Sequence, residues 1–359
     1  MASTSQKRKY DDDLTRRAVA NGTAQADGPT CGGLPYDYLP SSSRDLWEQT
    51  IGAMEYPDER DLVKWNAFYD WSGYAASTFL TQEMAELLDT YKQPTGPAGF
   101  VFDNLPHPRY GVPPKDGRRP TMKSSVSEAV LLGVVSSGGF EVIGYRQEKK
   151  GDIVHQVSPV VGLEKRQTNG GRVAFGWHTD DAFMRQLYRP ENLLLFGLVN
   201  EKDVPTLLLT LDDDILPATP SGLLRRLRSR MFVFPPPHSF KFGRRRPDTS
   251  GLKPVIHEDR KGVWRIAMPR SDSKQPDPRA EATMREFREL LESLTPRTIV
   301  ISPGRLLAFS NTRCVHARRE VAGARWLQRV YFNNSLRPQR LATGAALNER
   351  VFDARTLAG

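Results

Sequence analysis

The chain has 359 residues, with 51 Lys and Arg against 42 Asp and Glu, a formal charge of +9 and 38% apolar side chains. That length suits one large domain or two ordinary ones, and the apolar share supports a sizeable core. Two cysteines, Cys31 and Cys314, argue against a disulfide framework or a cysteine-based zinc site and fit a reducing compartment. Residues 1–13 lack the apolar stretch of a secretory signal, and the longest apolar run, 129–135, is too short for a bilayer. A cytoplasmic protein with no membrane partner is expected. The basic surplus gathers in Arg225, Arg226, Arg228 and Arg230 and again in Arg244, Arg245 and Arg246. Such clusters read as a solvated face or as a docking surface for an anionic partner.

Residues 1–33 are polar and charged without hydrophobic periodicity and read as a disordered tail. Over 43–91 apolar residues recur at helical spacings, with Leu46, Trp47 and Ile51, then Leu62, Trp65, Phe68 and Trp71. Pro94, Gly96 and Pro97 end this pattern. Ser125 and Glu128 have capping-box spacing ahead of a further short helix, completing a helical layer over 43–135. After Gly138 the chain turns to short β-rich runs punctuated by turn residues: 140–146, 153–161, 172–178, 193–199, 206–211, 262–268, 298–302, 306–310 and 330–333. This pattern predicts a sandwich or barrel. Helical inserts are expected at 221–230 and at 278–294, where Met284, Phe287, Leu290 and Leu291 form a stripe. The fold class is therefore mainly β with flanking helices: a jelly-roll-like core over 138–335, a helical N-terminal layer, and a C-terminal tail over 341–359.

Six histidines are available: His107, His155, His178, His238, His257 and His316. Two histidines and one carboxylate on one face of an octahedron suit iron(II) and leave open positions for other ligands. His178-Thr179-Asp180 ends the 172–178 strand, where alternation puts residues i and i+2 on one side. The rival His257-Glu258-Asp259 lies in a charged, glycine-containing turn and reads as surface. His316 alternates into an apolar strand, either as a third ligand or as a buried histidine bonded to backbone. Downstream, Arg325 and Arg329 stand on one face of an extended apolar segment. Unpaired buried charge is costly, and the guanidinium fork grips carboxylates bidentately, so the pair marks an anion site.

Together these pieces resemble the clavaminate-synthase-like oxygenases, the group that includes taurine dioxygenase-type enzymes and the hydroxylases of free arginine and asparagine. The likeness runs over roughly 135–340 and rests on 159–183 before and through the His-x-Asp motif, on Thr206, on 311–318 around His316, and on Arg325 to Arg329. It implies one oxygenase domain over 34–340, with a double-stranded β-helix core. It implies Fe(II) on His178, Asp180 and His316, and 2-oxoglutarate and O2 as cosubstrates. Thr206 and Arg325 would hold 2-oxoglutarate, and Arg329 would face cosubstrate or substrate. Gln147, Gln167 and Thr168 are candidate substrate contacts by position, with ordinary polar strand and loop residues as the alternative. The implied reaction is hydroxylation of an unactivated C–H in an amino acid or related small metabolite, free or carrier-tethered, with release of succinate and CO2. Desaturation, ring closure and epimerisation use the same machinery.

Three departures stand out. Asp180 replaces the glutamate usual in the arginine and asparagine hydroxylases, although a carboxylate still excludes the halogenase variant. The interval from His316 to Arg325 is shortened, which leaves the division of labour between Arg325 and Arg329 open. Ala267 and Pro269 stand where the arginine hydroxylases carry two acids, so free arginine is expected to be a poor substrate. Two other readings rest on the basic clusters: a non-enzymatic binding protein on a degenerate oxygenase fold, and an oxygenase acting on protein or nucleic acid. Nucleic acid is not the expected partner.

Overall fold

The computed structural model describes residues 30–237, 239–243, 250–270 and 272–358. Most of the predicted N-terminal tail lies outside the described residues, as do His238 and the Arg244, Arg245 and Arg246 cluster. Residues 30–33 are not tail: β1 (Thr30–Cys31) forms a hairpin with β2 (Leu34–Tyr38). Helices α1 (Ser41–Ile51), α2 (Leu62–Phe79) and α3 (Gln82–Tyr91) follow. The Asp61 and Thr81 side chains cap α2 and α3 by accepting from the backbone N–H groups of Lys64 and Met84. Helix α4 (Val126–Ser137) begins where the sequence suggested, but no capping box closes there. The Ser125 hydroxyl bonds the Met54 carbonyl, and Glu128 turns inward to Lys123 at 2.6 Å and Arg119 at 2.8 Å. That orientation satisfies two cations, which a solvent-facing cap would not.

The helical stretch also contains a strand the sequence reading missed, β3 (Gly99–Asp103). The remaining strands are β4 (Glu141–Tyr145), β5 (His155–Val157), β6 (Phe175–His178), β7 (Asn192–Asn200), β8 (Pro205–Thr210), β9 (Ile256–Glu258), β10 (Trp264–Ile266), β11 (Arg297–Val300), β12 (Leu306–Ser310), β13 (Cys314–Arg318) and β14 (Arg325–Asn333). A large sheet has the order β1-β2-β3-β12-β7-β14-β4, with β5 also on β14, and a smaller sheet has the order β11-β8-β13-β6. Helices α5 (Ser221–Leu227) and α6 (Pro278–Ser293) interrupt the strands, and β9 and β10 form a separate hairpin. His257 therefore sits in a strand, with only Asp259 onward in the turn.

Strand β7 shows why two cores form. Its run Leu193 to Leu198 is apolar at every side-chain position, as expected of a strand buried on both faces. Leu193 and Leu195 join Leu208 and Leu327 in one core cluster, which also takes in Trp177 and Val315. Leu194, Phe196 and Leu198 join Trp65, Phe68, Val130 and Val134 of the helices on the other face. The C-terminal stretch is not a tail either. After α7 (Arg337–Thr343), strand β15 (Val351–Phe352) pairs parallel with β4 and leads to a last turn of helix, Ala354–Leu357. Phe352 and Leu357 are buried in the same core cluster as Leu193 and Leu195. Two apolar anchors so close to the end were too few to register as periodicity.

Candidate metal centre

Strands β6 and β13 run side by side with His178 directly opposite His316, their ring centroids 4.1 Å apart. Asp180 follows just beyond the end of β6. Its Oδ1 lies 3.5 Å from His178 Nε2 and 3.9 Å from His316 Nε2. Among the described residues, these three side chains form the group able to hold a metal ion, with donor atoms all within 4.8 Å of one another. His178 Nδ1 donates to the Gly176 carbonyl at 2.8 Å, which leaves Nε2 as the nitrogen turned toward Asp180. That Nε2 is buried and has no hydrogen-bond partner. Burial, and then its neighbour His178, push His316 down to about 3, so it is neutral. Burial opposes the charge on Asp180, but the Arg329 guanidinium holds its carboxyl well below the usual carboxylate range. Two imidazoles, that of His316 neutral, and an ionised carboxylate converging on one point are the donors a divalent cation requires, so the residues fit iron(II).

The carboxylate is held from every side. Asn311, fully buried, accepts from the Asp180 N–H at 2.8 Å and donates to the Asp180 carbonyl at 2.9 Å. Asp180 Oδ2 accepts from Arg329 at 2.7 Å and from the Tyr331 hydroxyl at 3.1 Å. Arg329 also donates to Glu148 at 3.0 Å and to His155 Nδ1 at 2.7 Å. The other His155 nitrogen bonds the Asp152 carbonyl, so Nδ1 is an acceptor. Arg329 thus keeps its place on the cavity wall with its charge already answered by protein.

Arg325 is in the opposite situation. It is 3% exposed, and among the described residues it has no hydrogen-bond or ion-pair partner. Burial, and then Arg318, push it down to about 9. Arg325, Thr206, Arg318, His178, Asp180 and His316 line one void. The structure therefore brings together the metal candidates, Thr206, Arg325 and Arg329.

The three substrate candidates fare differently. Gln147 does not face the void: its amide donates to Asp353 and accepts from the Ala354 N–H, both at 2.8 Å. Gln167 is exposed and Thr168 half-buried on the loop before β6, where the adjacent Asn169 reaches the void instead. Sequence reasoning missed Glu148, His155, Tyr331 and Arg318. Two carried a usable signal: Tyr331 continues the Arg325 and Arg329 face, and Arg318 lies two residues past His316. His257 reaches only Gln186, far from the metal candidates in role.

No protein-family model matches the chain. Over 305 residues it is 27% identical to L-asparagine oxygenase of Streptomyces coelicolor, covering 82% of this chain and 86% of that protein. It is 24% identical to enduracididine beta-hydroxylase of Streptomyces hygroscopicus, covering 76% and 87% respectively. Among solved structures, asparagine oxygenase with Fe(II), 2S,3S-3-hydroxyasparagine and succinate superposes with a TM-score of 0.74 at 22% identity, over 89% of this chain and 99% of that one. The non-haem iron oxygenase OrfP with Fe and alpha-ketoglutaric acid gives a TM-score of 0.72 at 23% identity, over 89% and 100%. The mainly β fold with helices is shared with both, and the resemblance read from the motifs is borne out.

Proposed function

We propose, from the premise that this chain is an iron(II)- and 2-oxoglutarate-dependent oxygenase related to amino-acid hydroxylases, that it hydroxylates an amino acid or similar small metabolite in the void beside His178, Asp180 and His316. One observation carries the residue assignment: a histidine–aspartate–histidine triad and a buried guanidinium without a partner share one cavity. In this reading the two facing sheets are a double-stranded β-helix, the helices α1 to α4 are its N-terminal layer, and the protein works in the cytoplasm.

His178, Asp180 and His316 would hold iron(II). When bound, the metal supplies O2 activation coupled to cosubstrate decarboxylation. Arg325 answers the distal carboxylate of 2-oxoglutarate, with Thr206 beside it; a fork that has spent none of its donors suits that ligand. Arg329 steadies Asp180 rather than binding cosubstrate. Phe175, Leu193, Leu195 and Leu327 keep water from the reacting centre.

The stretch 267–269, bonded to the metal loop, bears on substrate choice. Thr179 bonds both backbone groups of Met268, at 3.1 and 3.0 Å, which holds 267–269 against the metal loop. Ala267 and Pro269 offer no charge there. The acids nearest that stretch in sequence are engaged, since Asp259 pairs with Arg265, Asp272 with Arg270, and Asp277 caps α6. A guanidinium at this stretch would be left unpaired at a cost of several kcal/mol, so a neutral or acidic amino acid is expected and free arginine is not. The test is aerobic incubation with iron(II), 2-oxoglutarate and an amino-acid panel, free and carrier-tethered, reading succinate and the product mass. Coupled turnover of arginine would overturn the substrate class, and no succinate with any member would overturn the reaction. A dehydrogenated product would point to desaturation.

A further inference from the structure

We infer that Arg318 is a second cation for the distal carboxylate of the cosubstrate, making that end of the void a two-arginine site. The inference rests on the 2-oxoglutarate reading above and concerns a residue to which that reading gives no role.

Arg318 ends β13, two residues beyond His316 on the same side of the strand, and lines the void with Arg325 and Thr206. Its backbone lies directly opposite Thr206 of β8 in the antiparallel register. The side chain finds only backbone acceptors, the carbonyls of Gly171 at 2.9 Å and Val173 at 3.0 Å. No carboxylate partner of Arg318 is found among the described residues. Each terminal nitrogen of a guanidinium carries two N–H groups, so one bond from each leaves further donors, and the Nε–H, unspent. The carbonyls orient the fork without neutralising it.

Two guanidinium groups, neither of them paired with a carboxylate among the described residues, therefore line one void. Several buried cations among the described residues are answered by an acid, Lys123 and Arg119 by Glu128, Arg329 by Asp180 and Glu148, Arg305 by Asp103, while Arg189 and Lys253 meet only backbone carbonyls; what sets Arg318 apart is that it lines the void together with Arg325. Only an arriving anion relieves the pair at Arg318 and Arg325. A carboxylate has enough lone pairs to accept from both forks, and the opposite end of the same molecule is then directed toward the metal candidates. The same chemistry predicts tight retention of succinate, which keeps that carboxylate.

The experiment compares wild type, Arg318→Gln and Arg318→Lys, each loaded anaerobically with iron(II). Binding of 2-oxoglutarate, succinate and 2-oxobutyrate, which lacks the distal carboxylate, is measured by calorimetry. Arg318→Gln should weaken both dicarboxylates by about tenfold or more, the scale of a charge-assisted bidentate contact, and leave 2-oxobutyrate unchanged. Arg318→Lys should fall between the two, because it keeps charge without the fork. Equal weakening of all three ligands would mean that Arg318 only anchors the 171–173 loop, and the inference fails. Unchanged dicarboxylate binding also defeats it. If Arg318→Gln does not fold, Arg318→Lys decides by the same ratio of dicarboxylate to monocarboxylate affinity. A wild type that binds no 2-oxoglutarate sinks the underlying reading and this inference together, an outcome distinct from a wild type that binds it and a variant that binds it equally.

Discussion

Arg325 and Arg329 show how two identical side chains on one face of one strand acquire different work. Both are 3% exposed, and nothing in their spacing separates them. The difference lies in what other elements deliver: β5 and the end of β4 bring His155 and Glu148 to Arg329, while nothing anionic reaches Arg325. Arg325→Ala should therefore raise the 2-oxoglutarate requirement by about two decades or more and leave metal affinity nearly unchanged, since the lost partner of a buried charge pair costs about 3–5 kcal/mol. Arg329→Ala should do the reverse. Residues that orient a metal ligand are worth about 10–100-fold in metal affinity, so iron(II) binding should weaken by that much while the 2-oxoglutarate requirement at saturating metal changes little. Anaerobic metal titration and succinate-release kinetics on both variants separate the two roles. A rise in the 2-oxoglutarate requirement for Arg329→Ala alone would exchange them.

At the scale of elements, the metal motif was legible because its determinants are local. A His-x-Asp step at a strand end needs only period-two alternation, and His316 stands in a strand long enough to show its apolar neighbours. Strand β3 was not legible. Four buried residues in a row alternate nothing, and the strand exists because β2 and β12 flank it. Glu148 was illegible for a related reason, since its role depends on a guanidinium distant in sequence. The buried Glu128 is a third such case. It receives Arg119, Lys123 and Gln328, the last at 2.9 Å, and so ties the start of α4 to β14 between Arg325 and Arg329. Lys123 is almost fully buried, with burial pushing it down to about 8 despite Glu128. Glu128→Ala would strand that cation and is expected to cost about 3–5 kcal/mol of stability, read from urea unfolding. Glu128→Gln, which keeps the acceptor for Gln328, should cost less. Equal loss in the two variants would show that the charge is immaterial.

Across the whole molecule, the +9 charge says less about function than the few ionisable groups folded inside. Glu59 is one of them, bonded to Tyr56 and to the Ile153 N–H, which joins the segment before α2 to the segment before β5. Burial pushes its carboxyl up from 4.5 to about 7. The folded protein thus keeps a proton that the unfolded chain has released between those values, so stability falls as pH rises through that window. Glu59→Gln, neutral throughout, should remove this slope. The variant should gain on wild type by up to roughly 3 kcal/mol between pH 4.5 and 7 in paired unfolding curves. A constant difference across that range would exclude Glu59 as the source. The C-terminal stretch carries one more consequence. Strand β15 lies on β4, and Asp353 and Ala354 grip Gln147, whose neighbour Glu148 steadies Arg329 and, through it, Asp180. Wear at residues 351–358 would accordingly travel inward. A carboxypeptidase trimming this segment, or a purification handle fused onto it, would dim the enzyme before it melted it.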